Sequence, residues 1–310
     1  MTQLKSVLVT GANAGLGKET ARQLALHDSV ERIYLGCRNL EKAEAAKTEL
    51  LQATGKSAFE ILKIDVTDMD SVRAAVRALP EPIDGLVMNA GGMGGPTPRA
   101  KTPSGTTELF AANVLGHALL ASELIAADKL KHVAVYSGSE AMRGVKQVRI
   151  KRLALETSSS DEFASIADDS WLDGESSAMA AYSASKYVAA LWIGAMARKH
   201  PSIRFVTMSP GGTSGTAATD GMQGLERIFT KYVGMPLMVA FGMMHNVEIG
   251  AARYVDALTD ERYESGVFYG NRPGAMIGDV VDQATDYADL ANEDFQDNAY
   301  EAIQHFLSRG

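Results

Sequence analysis

The chain has 310 residues, 46% hydrophobic and 22% charged, a balance that builds a globular core and excludes a disordered tail, a collagen-like repeat and a coiled coil. Its net charge of -8 argues against a nucleic-acid surface or an anionic membrane as the main partner. The single cysteine, Cys37, cannot form an internal disulfide, and neither it nor the six histidines are spaced to hold zinc. No metal is expected, and a reducing compartment is. The first ten residues run straight into the strand-like Ser6-Val7-Leu8-Val9, with no charged stretch leading a long apolar one, so a cytoplasmic location is expected.

Apolar, β-branched runs alternate with helical patterns from residue 5 to about 270, without a repeat of fixed period. Strands are predicted at residues 6–10, 32–37, 59–66, 85–89, 132–137, 203–209 and 266–269. Helices are predicted at 15–27, 40–51, 69–79, 107–129, 178–199 and 246–258. The alternation implies an α/β fold of the Rossmann type, a doubly wound, mostly parallel sheet of about seven strands with helices on both faces. One domain is expected over residues 1–275, followed by an acidic extension over 276–310 with one amphipathic helix near 292–307. Two stretches interrupt the rhythm. Residues 140–177 carry Arg143, Lys146, Arg149, Lys151 and Arg152 and then a Ser- and acid-rich run, which reads as a solvated insertion. Residues 221–244 hold Met222, Met235, Met238, Met243 and Met244, and the thirteen-residue apolar run at 232–244, interrupted by Pro236, is too short to span a bilayer.

Directly after the first strand stands Thr10-Gly11-Ala12-Asn13-Ala14-Gly15-Leu16-Gly17, opening a helix. Glycines there allow a tight turn and bring backbone N–H groups close to a phosphate at the positive helix end. Gly11, Asn13, Ala14, Gly15, Leu16 and Gly17 are therefore candidates for a dinucleotide site. The second strand ends in Cys37-Arg38, with no carboxylate to bond ribose hydroxyls. A guanidinium beside that tip suits a 2′-phosphate, which favours NADP(H), a solvated surface arginine being the alternative. Tyr182 and Lys186 lie one helical turn apart, near enough for an ammonium to stabilise a phenolate that acts as a general acid or base. With ten tyrosines in the chain, such a pair proves nothing alone.

Its place in an ordered set raises its weight: the glycine loop, then Asn89-Ala90-Gly91 after the fourth strand, Asn113 in mid-helix, Ser139 after the fifth strand, and Tyr182 with Lys186. On these residues the chain resembles the short-chain dehydrogenase/reductase superfamily over about residues 5 to 270. The run Asn113-Val114-Leu115-Gly116-His117-Ala118-Leu119-Leu120, together with Gly36-Cys37-Arg38-Asn39, is most similar to the retinol dehydrogenase, protochlorophyllide reductase and carbonyl reductase branch. The resemblance implies a catalytic tetrad of Asn113, Ser139, Tyr182 and Lys186. Ser137 in Tyr136-Ser137-Gly138-Ser139 is the alternative serine. It further implies cofactor contacts from Asp65 and Val66 at the adenine, from Asn89, Ala90 and Gly91, from Tyr182 and Lys186 at the nicotinamide ribose, and from Pro210, Gly211 and Thr213 at the carboxamide. Asn113 would position a water in a proton relay. The segment at about 214–245 is expected to form a substrate lid, whose methionines adapt to apolar ligands.

The expected activity is hydride transfer between the nicotinamide of NADPH and a carbonyl or alcohol of a small apolar molecule, with Tyr182 moving the proton. The alternatives are a C=C double-bond reductase using the same tetrad and a non-catalytic dinucleotide sensor. No nucleic acid partner and no transmembrane segment are expected, and the chain is expected to be a monomer or a homodimer. His117, on an apolar helix face, reads as a core histidine rather than a ligand.

Overall fold

Strand β1 (Ser6–Thr10) leads through helix α1 (Gly15–Ala25) to β2 (Arg32–Cys37), and α2 (Leu40–Thr54), β3 (Phe59–Lys63), α3 (Met69–Ala78) and β4 (Ile83–Met88) complete the first half. The second half holds α4 (Glu108–Phe110), a π-helical turn (Ala111–Leu115), α5 (Gly116–Ala126), β5 (Leu130–Ser137), α6 (Ser160–Ala167) and α7 (Ala178–Lys199). It closes with β6 (Arg204–Met208), α8 (Val247–Thr259), β7 (Phe268–Asn271), β8 (Val280–Asp282) and α9 (Glu293–Leu307). This computed structural model describes residues 4–93, 95, 97–145, 150–171, 177–214 and 244–309.

The strands form one sheet in the order β3-β2-β1-β4-β5-β6-β7-β8, parallel except for the antiparallel β7–β8 pair. Because helices cover both faces, the inner strands β1, β2, β4, β5 and β6 are buried on both sides over most of their length. Leu8 joins Leu86, Val114 and Trp192 in one core layer, while its neighbours Val7 and Val9 join Leu24, Val206 and Tyr254 in the other. The chain leaves β1 toward β2 on one side, and β4 lies on the other side of β1. The loops after β1 and β4 therefore part, and a crevice opens at the carboxyl ends of these strands.

Where the structure departs from the sequence reading, local chemistry explains it. The third strand stops at Lys63, since Asp65 Oδ1 accepts hydrogen bonds from the Thr67 amide (3.0 Å) and hydroxyl (2.7 Å) and turns the chain. The helix predicted at 107–129 is broken by the π-turn that carries Asn113. The stretch at 140–177 is not simply solvated: Arg143 is buried in a 3-10 turn, and α6 buries Phe163 and Ile166. Beyond residue 275 the chain adds the eighth strand to the sheet, and α9 packs on α7 and α6.

Met222, Met235, Met238 and Met243, with most of the expected lid, lie outside the described residues. The two ends of that segment are joined by a bridge between Thr213 and His245. Among the described residues one helical stretch, Glu108–Ala126, is long and apolar enough to cross a membrane, but 72% of its most apolar window is buried inside the fold.

Candidate active site

The crevice wall begins with Thr10, whose buried hydroxyl accepts the Asn89 amide at 2.9 Å and the Ala90 amide at 3.0 Å, pinning the loop after β4 to the end of β1. The Asn89 side chain donates to the Thr10 carbonyl at 2.9 Å. A side chain at Gly17 would collide with that Asn89 amide nitrogen and the Gly11 carbonyl, both 2.5 Å from the place of its Cβ, so only glycine lets α1 start this close to the strands. Asn39, Asp68, Ser159, Ser177 and Asn292 cap their helices with side-chain oxygens. Ala14, at the head of α1, cannot, and the first turn of α1 has no carboxylate. Its backbone donors and positive dipole end suit an anionic group, so Gly11, Asn13, Ala14, Gly15, Leu16 and Gly17 fit a dinucleotide pyrophosphate.

Cys37 ends β2, and its thiol takes hydrogen bonds from the Ala12 and Asn13 backbone, although burial lifts its pKa to about 11. Arg38, next in the chain, is exposed. Arg38, Lys63 and Asp65 line a cleft beside the edge of the sheet. Asp65 serves its local turn, and Val66 sits against the start of α5, where a Cβ on Gly116 would overlap the Val66 carbonyl.

The tetrad candidates converge on β5 and α7. Tyr182 is partly buried near the start of α7; burial raises its pKa, the hydrogen-bonded Ser139 hydroxyl opposes that rise, and Glu140 adds to it. Lys186 is 3% exposed, and burial brings its pKa down to about 7. Its ammonium donates to the Ser137 carbonyl at 2.9 Å and to the Tyr136 phenol at 3.3 Å, and lies 5.6 Å from the centre of the Tyr182 ring. Of the two serines weighed, Ser139 is the one beside Tyr182. The Ser137 hydroxyl is bonded to the Tyr254 hydroxyl at 2.6 Å. The Asn113 side chain donates to the Gly92 and Leu109 carbonyls at 2.7 and 2.8 Å and accepts the Gly92 amide at 3.1 Å, holding the loop of Ala90 and Gly91. Its main-chain carbonyl accepts the Tyr136 hydroxyl at 2.7 Å. His117 is a buried core residue bonded to the Ala90 carbonyl at 2.7 Å, with a pKa that burial lowers to about 4.

The segment after β6 is fastened from below. Buried Glu140 accepts the Ser209 hydroxyl on one oxygen, at 2.5 Å, and the Asn271 backbone and side-chain amides on the other, at 3.0 and 2.9 Å. Arg253 on α8 donates to Asn271 Oδ1 at 2.7 Å and to the Ser209 carbonyl at 3.2 Å. Pro210 and Gly211 thus follow a residue held by this network, Gly211 packs beside Arg253, His245 and Asn271, and the Thr213 hydroxyl bonds back to the carbonyls of Pro210 and Gly211 at 3.1 Å. Tyr254, Arg253, Glu140 and Asn271 escaped the sequence reading, and Thr10 and Tyr136 appeared there only as motif neighbours without a role. Only Glu140, a carboxylate set between the candidate serine and a short apolar run, carried a signal that could have been read.

Residues 5–139 match the short chain dehydrogenase family. The chain is similar to human retinol dehydrogenase 11, being 40% identical over 133 residues that cover 42% of this chain and 40% of that protein. The matched stretch therefore spans about two fifths of the length of this curated relative. In fold it is similar to salutaridine reductase from Papaver somniferum, with a TM-score of 0.63 at 19% identity, covering 86% of this chain and all of that one. It is also similar to an NADPH-bound carbonyl reductase from chicken fatty liver, with a TM-score of 0.56 at 20% identity, covering 89% of this chain and 99% of the other.

Proposed function

We propose that the chain is a short-chain dehydrogenase/reductase, an NADP(H)-dependent oxidoreductase acting on a carbonyl or alcohol of a small apolar molecule, a reading supported by the family match over residues 5–139 and the likeness to a retinol dehydrogenase. The bound nicotinamide would supply or take up the hydride. The observation that carries the reading is the cluster of Tyr182, Ser139 and Lys186: a phenol beside a serine hydroxyl that favours its ionised form, with a buried ammonium 5.6 Å from the ring centre.

In this reading Ser139 and Tyr182 hold the reacting oxygen through their hydroxyls, and Tyr182 gives or takes the proton. Lys186 keeps positive charge beside the phenol, which favours the phenolate formed when the proton leaves. Asn113 fixes the loop of Asn89, Ala90 and Gly91 against the cofactor, with Pro210, Gly211 and Thr213 on the opposite wall and Asp65 and Val66 toward the adenine. The NADP preference is supported by the exposed Arg38 that follows β2 in a Cys37-Arg38-Asn39 run without a carboxylate of its own, the acidic side chains of the cleft it lines coming from β3, the turn after it and the start of α3. Likeness to a retinol dehydrogenase supports an apolar alcohol or aldehyde as substrate. A cytoplasmic location and a monomer or homodimer complete the proposal; in the fold the apolar stretch Glu108–Ala126 is core helix, with 72% of its most apolar window buried.

The test is a fluorescence titration of the protein with NADPH and NADH, followed by turnover on a panel of apolar aldehydes and ketones. Tight NADPH binding with oxidation is expected, and Tyr182→Phe should lower kcat by roughly 10²- to 10⁴-fold while binding NADPH nearly as before. Retained turnover in that variant would refute the assignment of Tyr182. A preference for NADH would remove Arg38 from the site, and binding without turnover on any carbonyl would favour a dinucleotide sensor.

A further inference from the structure

An ammonium has three N–H bonds, and inside a protein each needs an acceptor. Lys186 places one on the Ser137 carbonyl and one on the Tyr136 phenol oxygen, at 2.9 and 3.3 Å, which leaves one for the side of Tyr182. The Tyr136 hydroxyl donates its own proton to the Asn113 main-chain carbonyl at 2.7 Å. Tyr136 is fully buried in β5, so one phenol links the π-turn, the central sheet and α7. The ammonium also lies 4.8 Å from the centre of the Tyr136 ring.

The geometry points to Tyr136 as a positioning residue: its phenol orients the Lys186 ammonium and occupies the link between Lys186 and the Asn113 carbonyl that the family resemblance would give to a water. The inference rests on the role given to Lys186 above. An amide carbonyl accepts a hydrogen bond but does not take up a proton, so the link ends at Asn113 and carries no proton onward. Its effect is electrostatic, because the phenol oxygen turns a lone pair to the ammonium and so favours the charged form of Lys186 against the burial that disfavours it. The other titratable groups facing Lys186 are Tyr182 on its own helix and His117 from α5, which burial keeps neutral near pH 7. Glu140 and Tyr254 act on the cluster through Tyr182 and Tyr136. Burial holds Tyr136 well above the ordinary tyrosine pKa, so it remains a neutral phenol throughout.

The experiment titrates Lys186 directly, by NMR of the full chain carrying ¹³C-labelled lysine, with the Lys186 signal assigned by its loss in Lys186→Met. Tyr136→Phe keeps the ring and removes only the oxygen. Its Lys186 is expected to titrate about one pH unit lower than in the parent, a tenfold loss of proton affinity. Tyr136→Gln, which keeps a buried polar group, should titrate between the two. Fluorescence titration with NADPH reports in each case that the fold is kept. Equal titration of Lys186 in Tyr136→Phe and the parent overturns the inference. A purely structural tyrosine would lower the thermal midpoint without moving the ionisation of Lys186. The readout needs no turnover, so the Tyr182→Phe experiment can succeed while this one fails, and the reverse.

Discussion

Lys186 joins stability and chemistry at a single side chain. Its ordinary pKa of 10.5 falls to about 7 in the fold because burial disfavours the ammonium, and the sheet and α7 bear the cost of keeping it there. Between those two values the unfolded chain binds the proton that the folded chain has shed, so stability rises with pH across this window and the cost is fully present below about pH 7. Replacing Lys186 by Met removes this slope. The parent should therefore gain on the order of a few kcal/mol relative to Lys186→Met between pH 6 and pH 10, measured by denaturant unfolding at each pH. A difference that stays flat across this range would show that Lys186 ionises as freely folded as unfolded. The variant should lose turnover at every pH, which makes the buried charge an example of stability given up for function.

At the scale of elements, the approach of α5 to the sheet is set at Gly116. A methyl group there would overlap the Val66 carbonyl, a backbone atom that cannot swing aside, and the π-turn holding Asn113 ends at the preceding residue. Gly116→Ala should cost roughly 1–3 kcal/mol through overpacking and displace the Asn113 carbonyl with the helix start, so the thermal midpoint and turnover fall together. An unchanged midpoint would mean that α5 lies further from Val66 than described. The sequence announced this helix but not its break, because an apolar run carries the same periodicity with or without a π-turn. It announced β1 and β2 to the residue, since a buried parallel strand is a short apolar block bounded by turn residues. The three-residue β8 and the Ser-rich start of α6 passed unseen. The second was legible in Ser159-x-x-Glu162: the Ser159 hydroxyl accepts the Glu162 amide, and the Glu162 carboxylate reaches back past the N-cap to the amides of Glu156, Thr157 and Ser158, a variant of the capping box. In the candidate site, the grouping of Tyr182, Lys186 and Ser139 was legible in their order along the chain, and the fold brings the three side by side. Tyr136 was not, since a tyrosine inside an apolar strand looks like core until the fold shows what its hydroxyl touches. Arg143 was hidden by its basic neighbours, and only the fold places its guanidinium on the Asn271 and Arg272 carbonyls and Gln283.

Over the whole molecule, the helix that bears Tyr182 and Lys186 is held on two sides. The sheet supports one side of α7, and α6 and α9 cover another. Gly194 has no side chain, and the Gln296 amide of α9 fills the space, donating at 2.7 Å to the Leu290 carbonyl. Arg198 pairs with Asp297 at 2.6 Å, and the Tyr187 hydroxyl reaches Asp289 at 2.5 Å, while Ile303 and Phe306 are buried in the same core layer as Trp192. The acidic C-terminal segment is thus part of the scaffold that fixes the site. The exposed ion pairs contribute little to that docking, and the apolar contacts carry it. Phe306→Ala removes a ring from this layer and should cost about 3–5 kcal/mol. With a midpoint shift of about 2–4 °C per kcal/mol for a large domain, the thermal midpoint should fall by on the order of 10 °C. If NADPH is the cofactor as proposed, saturating NADPH should raise the midpoint of parent and variant alike, because the ligand binds the folded state and the glycine loop after β1, the proposed pyrophosphate site, lies on the opposite half of the sheet from α9. An unchanged midpoint in Phe306→Ala would mean that α9 does not dock on α7. A lowered midpoint that NADPH no longer raises would mean that the docked helix is needed to form the cofactor site itself.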